Sequence, residues 1–175
     1  MTVPNEILKR AKNIRVLVTD CDGVLTDTGV YYTDTGEAMK RFSIRDGMGV
    51  ERLRTLCSIG TVIMTGESSG SVIRRAEKLN IEHLFLNAKD KRSLLLDYLS
   101  QHGWSFHHLA YIGDDTNDVE ALALAGLAAA PCDATAFAKE RAHYICQNKG
   151  GHGAFRELAE IIIYAQTRCK GDGQA

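Results

Sequence analysis

Residues 20–26 read Asp-Cys-Asp-Gly-Val-Leu-Thr, directly after the apolar run Ile14 to Thr19. Asp is depleted in strands, and like charges beside a core are costly unless something neutralises them. Three other groups of residues have types that could do so: Thr65-Gly66, the lysines Lys89 and Lys91, and Gly113-Asp114-Asp115-Thr-Asn-Asp118. A limited all-oxygen ligand set of this kind suits Mg²⁺, which keeps waters and a substrate phosphate among its ligands. The chemistry is then phosphoryl transfer. An ionised carboxylate is already a nucleophile at neutral pH and needs no base. A cation and a lysine offset the charge on the phosphate oxygens, while a hydroxyl and backbone N–H groups hold them in line. The leaving alkoxide calls for a second carboxyl as proton donor. Asp20 and Asp22 can divide these roles through an aspartyl-phosphate.

For the four groups to meet, the chain must place them on one rim. Short apolar runs, Val16–Val18, Thr61–Met64, His83–Leu86, Leu109–Ile112, Leu127–Ala130 and Tyr144–Cys146, alternate with helical patterns such as Ser68–Leu79 and Asp90–Gln101. Several runs are continuously apolar, as in strands of a parallel sheet covered on both faces. The expected fold is an α/β, Rossmann-like parallel sheet flanked by helices, a single domain over residues 1–175. Ligands bind such sheets at the carboxyl ends of the strands, and each polar group follows one apolar run. Residues 29–45 interrupt the rhythm. β-Branched and aromatic residues flank Asp34-Thr-Gly36 and predict an inserted β-hairpin. The polar residues 170–175 are expected to be disordered.

The bulk numbers narrow the class. A composition of 45% apolar and 25% charged residues is that of an ordinary globular domain, and the net charge of -1 gives no sign of a nucleic-acid-binding face. Five widely spaced cysteines without a C-x-x-C pattern predict free thiols in a reducing compartment. With no signal-peptide pattern and no run able to span a bilayer, the expected setting is the cytoplasm, with no membrane partner. His107-His108 lacks further ligand spacing, and Cys21 is read as an inward-facing filler. Asp20-x-Asp22-Gly is no calcium loop, because Val24 and Leu25 stand where that loop needs an oxygen ligand and a glycine. A receiver domain places its acidic pair first, whereas here Asp114-Asp115 comes last.

Asp20-Cys-Asp22-Gly-Val-Leu-Thr26, Thr65-Gly66, Lys91 and Gly113-Asp114-Asp115-x-x-Asp118 together resemble the four motifs of the haloacid dehalogenase superfamily of phosphatases. The resemblance implies Asp20 as nucleophile and Asp22 as acid/base, with Thr65, Gly66 and Lys91 binding phosphate. It implies Mg²⁺ held by Asp20, Asp114 and the backbone carbonyl of Asp22, with Asp115 and Asp118 in support. Neither gap between motifs has room for a cap domain.

The capless frame, the hairpin followed by Phe42-Ser-Ile-Arg45-Asp46-Gly47, and the tail Gly150-Gly151-His-Gly153-Ala-Phe-Arg156-Glu157 resemble one subfamily. It holds the 3-deoxy-D-manno-octulosonate (KDO) 8-phosphate phosphatases and the nonulosonate 9-phosphate phosphatases. That likeness implies a homotetramer whose hairpins pack together and whose subunits complete one another's sites, acting in surface-polysaccharide (lipopolysaccharide) sugar synthesis. It puts Arg45 and Asp46 near the substrate and Arg156 either on the sugar acid's carboxylate or in a salt bridge at the start of the last helix. Glu67 after Thr65-Gly66, paired with Lys78, resembles the nonulosonate branch, while the base rate of bacterial proteins favours the octulosonate one. On a shared helix those two residues would stand about 16 Å apart along the axis. The alternative is a non-catalytic assembly module, like the phosphatase-like domain of CMP-sialate synthetases.

Overall fold

The computed structural model describes residues 3–168; the expectation for residues 170–175 lies outside them. A short helix α1 (Asn5–Ala11) leads into β1 (Val16–Thr19), followed by the hairpin strands β2 (Val30–Thr33) and β3 (Gly36–Lys40). The chain continues through α2 (Ile44–Cys57), β4 (Gly60–Met64), α3 (Gly70–Lys78), β5 (His83–Phe85) and α4 (Lys91–Gln101). It ends with β6 (Leu109–Ile112), α5 (Val119–Leu124), β7 (Leu127–Ala130), α6 (Ala136–Arg141), β8 (Tyr144–Ile145) and α7 (Ala154–Arg168). The main sheet has six parallel strands in the order β5-β4-β1-β6-β7-β8. No described helix is long and apolar enough to cross a membrane.

Alternation along the strands divides the core into two layers. Leu17, Ile63, Ala110, Ile112, Leu127 and Ala129 face α1, α2, α3 and α7. Val16, Val18, Val62, Met64, Leu109 and Tyr111 face α4, α5 and α6. Both faces of β1, β6 and β7 are therefore buried, which explains why their sequences are apolar without alternation.

Capping side chains set two helix starts one or two residues later than hydrophobic spacing suggests. Ser69 accepts a hydrogen bond from the Val72 N–H, so α3 begins at Gly70 rather than Ser68. Asp90 accepts from the Ser93 N–H at 2.9 Å, so α4 begins at Lys91. The hairpin likewise ends at Lys40; Ser43 caps α2, and Ile44 and Arg45 are helical.

Asp46 has an unexpected place. It is 2% exposed, and its carboxylate accepts the N–H groups of Gly153 at 3.2 Å and Arg156 at 2.9 Å. A side chain from the first turn of α2 thus caps the first turn of α7. Burial raises its pKa despite these bonds, which favour the ionised form. Asp46→Ala orphans two backbone donors, the Gly153 one buried and the Arg156 one partly buried, and is expected to lower the unfolding free energy by about 1–3 kcal/mol. Urea titration reads this, and an unchanged midpoint would show that the cap contributes nothing.

Candidate active site

β1, β4 and β6 end side by side, and the loops that follow them line an open cleft of about 400 Å³. Asp20, Asp22, Thr65, Gly66, Glu67, Asp114 and Asp115 line it, together with Thr28, Ala88, Lys89, Thr116 and Asn117. Lys91, at the start of α4, reaches in from below: its ammonium lies 2.9 Å from Asp20 Oδ1 and 2.6 Å from Asp118 Oδ1. Thr65 is buried, and its hydroxyl accepts the Glu67 N–H at 3.3 Å, which folds the loop over it.

Carboxylate oxygens of Asp20, Asp114 and Asp118 all lie within 4.8 Å of one another. Their surroundings separate them. Asp118 is fully committed: Oδ1 accepts from Lys91 and the Tyr111 hydroxyl, each at 2.6 Å, and Oδ2 accepts the backbone N–H of Asp114 at 2.9 Å and of Asp115 at 3.4 Å. Asp118 therefore organises the loop and the lysine. Asp114 Oδ1, in contrast, is buried without a hydrogen-bond partner. An orphaned carboxylate oxygen beside a second carboxylate fits a hard divalent cation and is costly without one.

Electrostatics agree. Burial, then the Asp118 charge, pushes Asp20 up to about 7. Burial, then the charges of Asp20, Asp118 and Asp115, pushes Asp114 up to about 8. Burial alone would favour a neutral Lys91 amine, but Asp20 and Asp118 hold its ammonium above the usual lysine range.

The glycines of the two acidic loops follow from this crowding. Gly23 has φ +88°, and a Cβ there would stand 2.0 Å from Asp114 Oδ2. A Cβ on Gly113 would stand 2.4 Å from Asp118 Cγ. Gly150 closes the far side, where a Cβ would meet the Gly23 carbonyl oxygen at 1.9 Å, and the Gly151 N–H donates to the Val24 carbonyl at 2.8 Å.

The Asp22 carboxylate is held at both oxygens, Oδ1 accepting from the Thr26 hydroxyl at 3.2 Å and Oδ2 from Lys40 at 2.6 Å. Glu67 lies in the loop before α3, not on it, and its nearest cation is Lys89 at 3.6 Å. Lys78 is an exposed residue at the far end of α3. Within one chain, Arg45, Asp46, Lys78 and Arg156 do not line the cleft. Arg45 is exposed on the first turn of α2, and Arg156 is paired with Glu160 at 2.7 Å.

Sequence reasoning missed Lys40, Tyr111 and Thr28. Lys40 looks like a hairpin charge and Tyr111 like a core residue; Thr28, with φ 66°, gives no signal of its conformation. Cys21, between the two aspartates, is buried, and burial followed by the charges of Asp22 and Asp20 keeps its sulfur a thiol.

Comparison with known proteins extends this picture. Residues 59–158 match the family of haloacid dehalogenase-like hydrolases. The chain is 37% identical over 97% of its length to the 3-deoxy-D-manno-octulosonate 8-phosphate phosphatase of Yersinia pestis, of which it covers 90%. The crystal structure of that phosphatase superposes with a TM-score of 0.91 over 97% of this chain and 91% of that one. A cobalt-bound form of the Haemophilus influenzae phosphatase, 37% identical, gives a TM-score of 0.86 over 90% of this chain and 92% of that one. The Moraxella catarrhalis phosphatase in complex with magnesium, phosphate and KDO, 35% identical, gives 0.91 over 97% of each chain. The chain is thus a phosphoric monoester hydrolase and belongs to the haloacid dehalogenase-like hydrolases, in their capless branch.

Proposed function

We propose that the enzyme removes the phosphate of a 3-deoxy-2-ulosonic sugar acid, KDO 8-phosphate in preference to a nonulosonate 9-phosphate. The observation that carries the choice is the near-complete likeness, at 35–37% identity, to phosphatases named for KDO 8-phosphate, one of them holding magnesium, phosphate and KDO. Within one chain Glu67 faces Lys89, so a joint grip of Glu67 and Lys78 on the longer sugar would need a neighbouring subunit. That substrate belongs to surface-polysaccharide sugar synthesis in the cytoplasm.

In this reading the Asp20 carboxylate attacks phosphorus as the ester P–O bond breaks, and Asp22 gives its proton to the departing alkoxide. Water then attacks the aspartyl-phosphate, Asp22 takes a proton from it, and inorganic phosphate leaves. Lys91 offsets charge beside Asp20, and Thr65 with Gly66 supplies donors to the phosphate oxygens. Magnesium would be held by Asp20, Asp114 and the Asp22 backbone carbonyl, and would supply charge neutralisation at those oxygens.

The cleft is open, and Tyr31, Tyr32 and Met39 of the hairpin, with Ile44 and Met48 of α2, are exposed. These large apolar residues support a homotetramer in which hairpins pack together and a neighbour helps complete the pocket. The test compares kcat/KM for KDO 8-phosphate and a nonulosonate 9-phosphate on one preparation, because discrimination lies in that ratio. KDO 8-phosphate is expected to lead by about 10-fold or more, on the scale of one pocket contact. A reversed ratio overturns the choice of sugar; sedimentation showing a fully active monomer overturns the shared pocket.

A further inference from the structure

Lysine is seldom buried, yet Lys40 at the end of β3 has a side chain only 2% exposed. Its ammonium lies 2.6 Å from Asp22 Oδ2 and 3.6 Å from Glu37 Oε2. In a regular strand residues 37 and 40 would point to opposite faces. The hairpin is not regular: Tyr31 pairs with Met39 and Tyr32 with Glu37, so Ala38 is an extra residue on β3. This bulge turns Glu37 to the side of Lys40, while Met39 stays outside, 57% exposed. Glu37 Oε1 in turn accepts from the hydroxyl of Ser69, the residue that caps α3 after the Thr65-Gly66 loop.

A chain of hydrogen bonds and one ion pair therefore runs from Asp22 through Lys40 and Glu37 to Ser69. It links the loop after β1 to the loop after β4 by way of the inserted hairpin. Thr26 holds the other Asp22 oxygen, so the carboxyl is fixed at both ends. We propose that Lys40 is a positioning residue that fixes the Asp22 carboxyl for proton transfer to the leaving group, with the Ala38 bulge and Glu37 setting the lysine in place. A capless enzyme in this way locates its acid with the hairpin. The inference rests on the phosphatase reading with Asp22 as acid.

The distinguishing measurement is the dependence on leaving group. A nitrophenolate departs without a proton, whereas a phenolate or an alkoxide needs one. kcat/KM covers the steps up to leaving-group departure, so it isolates the proton donation. For Lys40→Met, kcat/KM is expected to fall by about 10²-fold on phenyl phosphate and KDO 8-phosphate and by less than about 3-fold on p-nitrophenyl phosphate, the scale of a misplaced catalytic group. Lys40→Arg should recover part of the loss. Lys40→Met combined with Asp22→Asn should be no slower than Asp22→Asn alone. If Lys40→Met does not fold, Glu37→Gln, which loosens the lysine without unburying it, should show the same leaving-group bias. Equal losses on all three esters, or additive losses in the double variant, overturn the proposal. Wild-type protein with no activity on any of them would instead overturn the phosphatase reading beneath it.

Discussion

Asp20→Asn is expected to lower magnesium-dependent phosphate release from p-nitrophenyl phosphate by at least about 10⁴-fold, the scale seen when a nucleophile is removed. The amide is nearly isosteric but is no nucleophile toward phosphorus, so a covalent route stops at its first step. The variant should still fold. In the metal-free protein the Asp20 carboxylate is disfavoured by burial and by Asp118, with Lys91 offsetting only part of this. A neutral side chain relieves that repulsion, and Lys91 keeps its bond to Asp118. The melting temperature without metal at pH 8 should therefore be equal to the wild type's or higher. Loss of activity with retained stability separates chemistry from folding. Full activity in the variant would end the aspartyl-phosphate mechanism.

The second large effect is a coupling of metal, pH and stability. Asp20 and Asp114 titrate near 7 and 8 in the fold, against about 4 in an unfolded chain. Between those limits the folded state binds more protons than the unfolded one, so metal-free stability falls as pH rises. The contribution of these two groups is fully present below about pH 4 and is gone above about pH 8. A divalent cation binds the ionised carboxylates and reverses the trend. With magnesium at about 100 times its dissociation constant, mass action adds about 2.7 kcal/mol, or about 5–10 °C in melting temperature for a chain of this size. The shift should be largest at pH 8 and shrink toward pH 6, where protons compete for the same oxygens. Thermal melts with chelator or excess magnesium at both pH values read it. A shift independent of pH would mean that the cation binds elsewhere.

Much of the architecture was legible because two faces of a parallel sheet leave a plain mark. Continuous apolar runs at Val16–Val18 and Leu109–Ile112 admit few other folds, and polar residues just after them fall on one rim by topology alone. Asp20-x-Asp22-Gly and Gly113-Asp114-Asp115 were legible for a sharper reason: each glycine yields its Cβ space to an aspartate carboxyl. The roles hidden from sequence belong to residues whose type has a commonplace explanation. Lys40 faces inward onto Asp22, and only a one-residue bulge brings Glu37 to its side; no propensity signals a bulge at Ala38. Tyr111 occupies a core position in β6, and its hydroxyl finds Asp118 only across the loop that follows. The shared helix expected for Glu67 and Lys78 gives way to a cap: Ser69 starts the helix late, leaving Glu67 in a loop facing Lys89. Asp46 lies beside the tail as a capping group, a role fixed by contacts far apart in sequence.

The contact between Gly23 and Gly150 also bears on the order in which the enzyme is made. The loop carrying the nucleophile is synthesised well before the surface against which it closes, which belongs to Gly150 and Gly151. α7, which follows them, adds Phe155, Leu158, Ile161 and Ile162 to the core that α1, α2 and α3 share on that side. A nascent chain that stops short of residue 150 holds Asp20, Thr65, Lys91 and Asp114 yet lacks the brace that fixes their shape. Catalytic competence is therefore expected only once these later residues are in place, and chains clipped before them should carry the full chemical inventory without the enzyme.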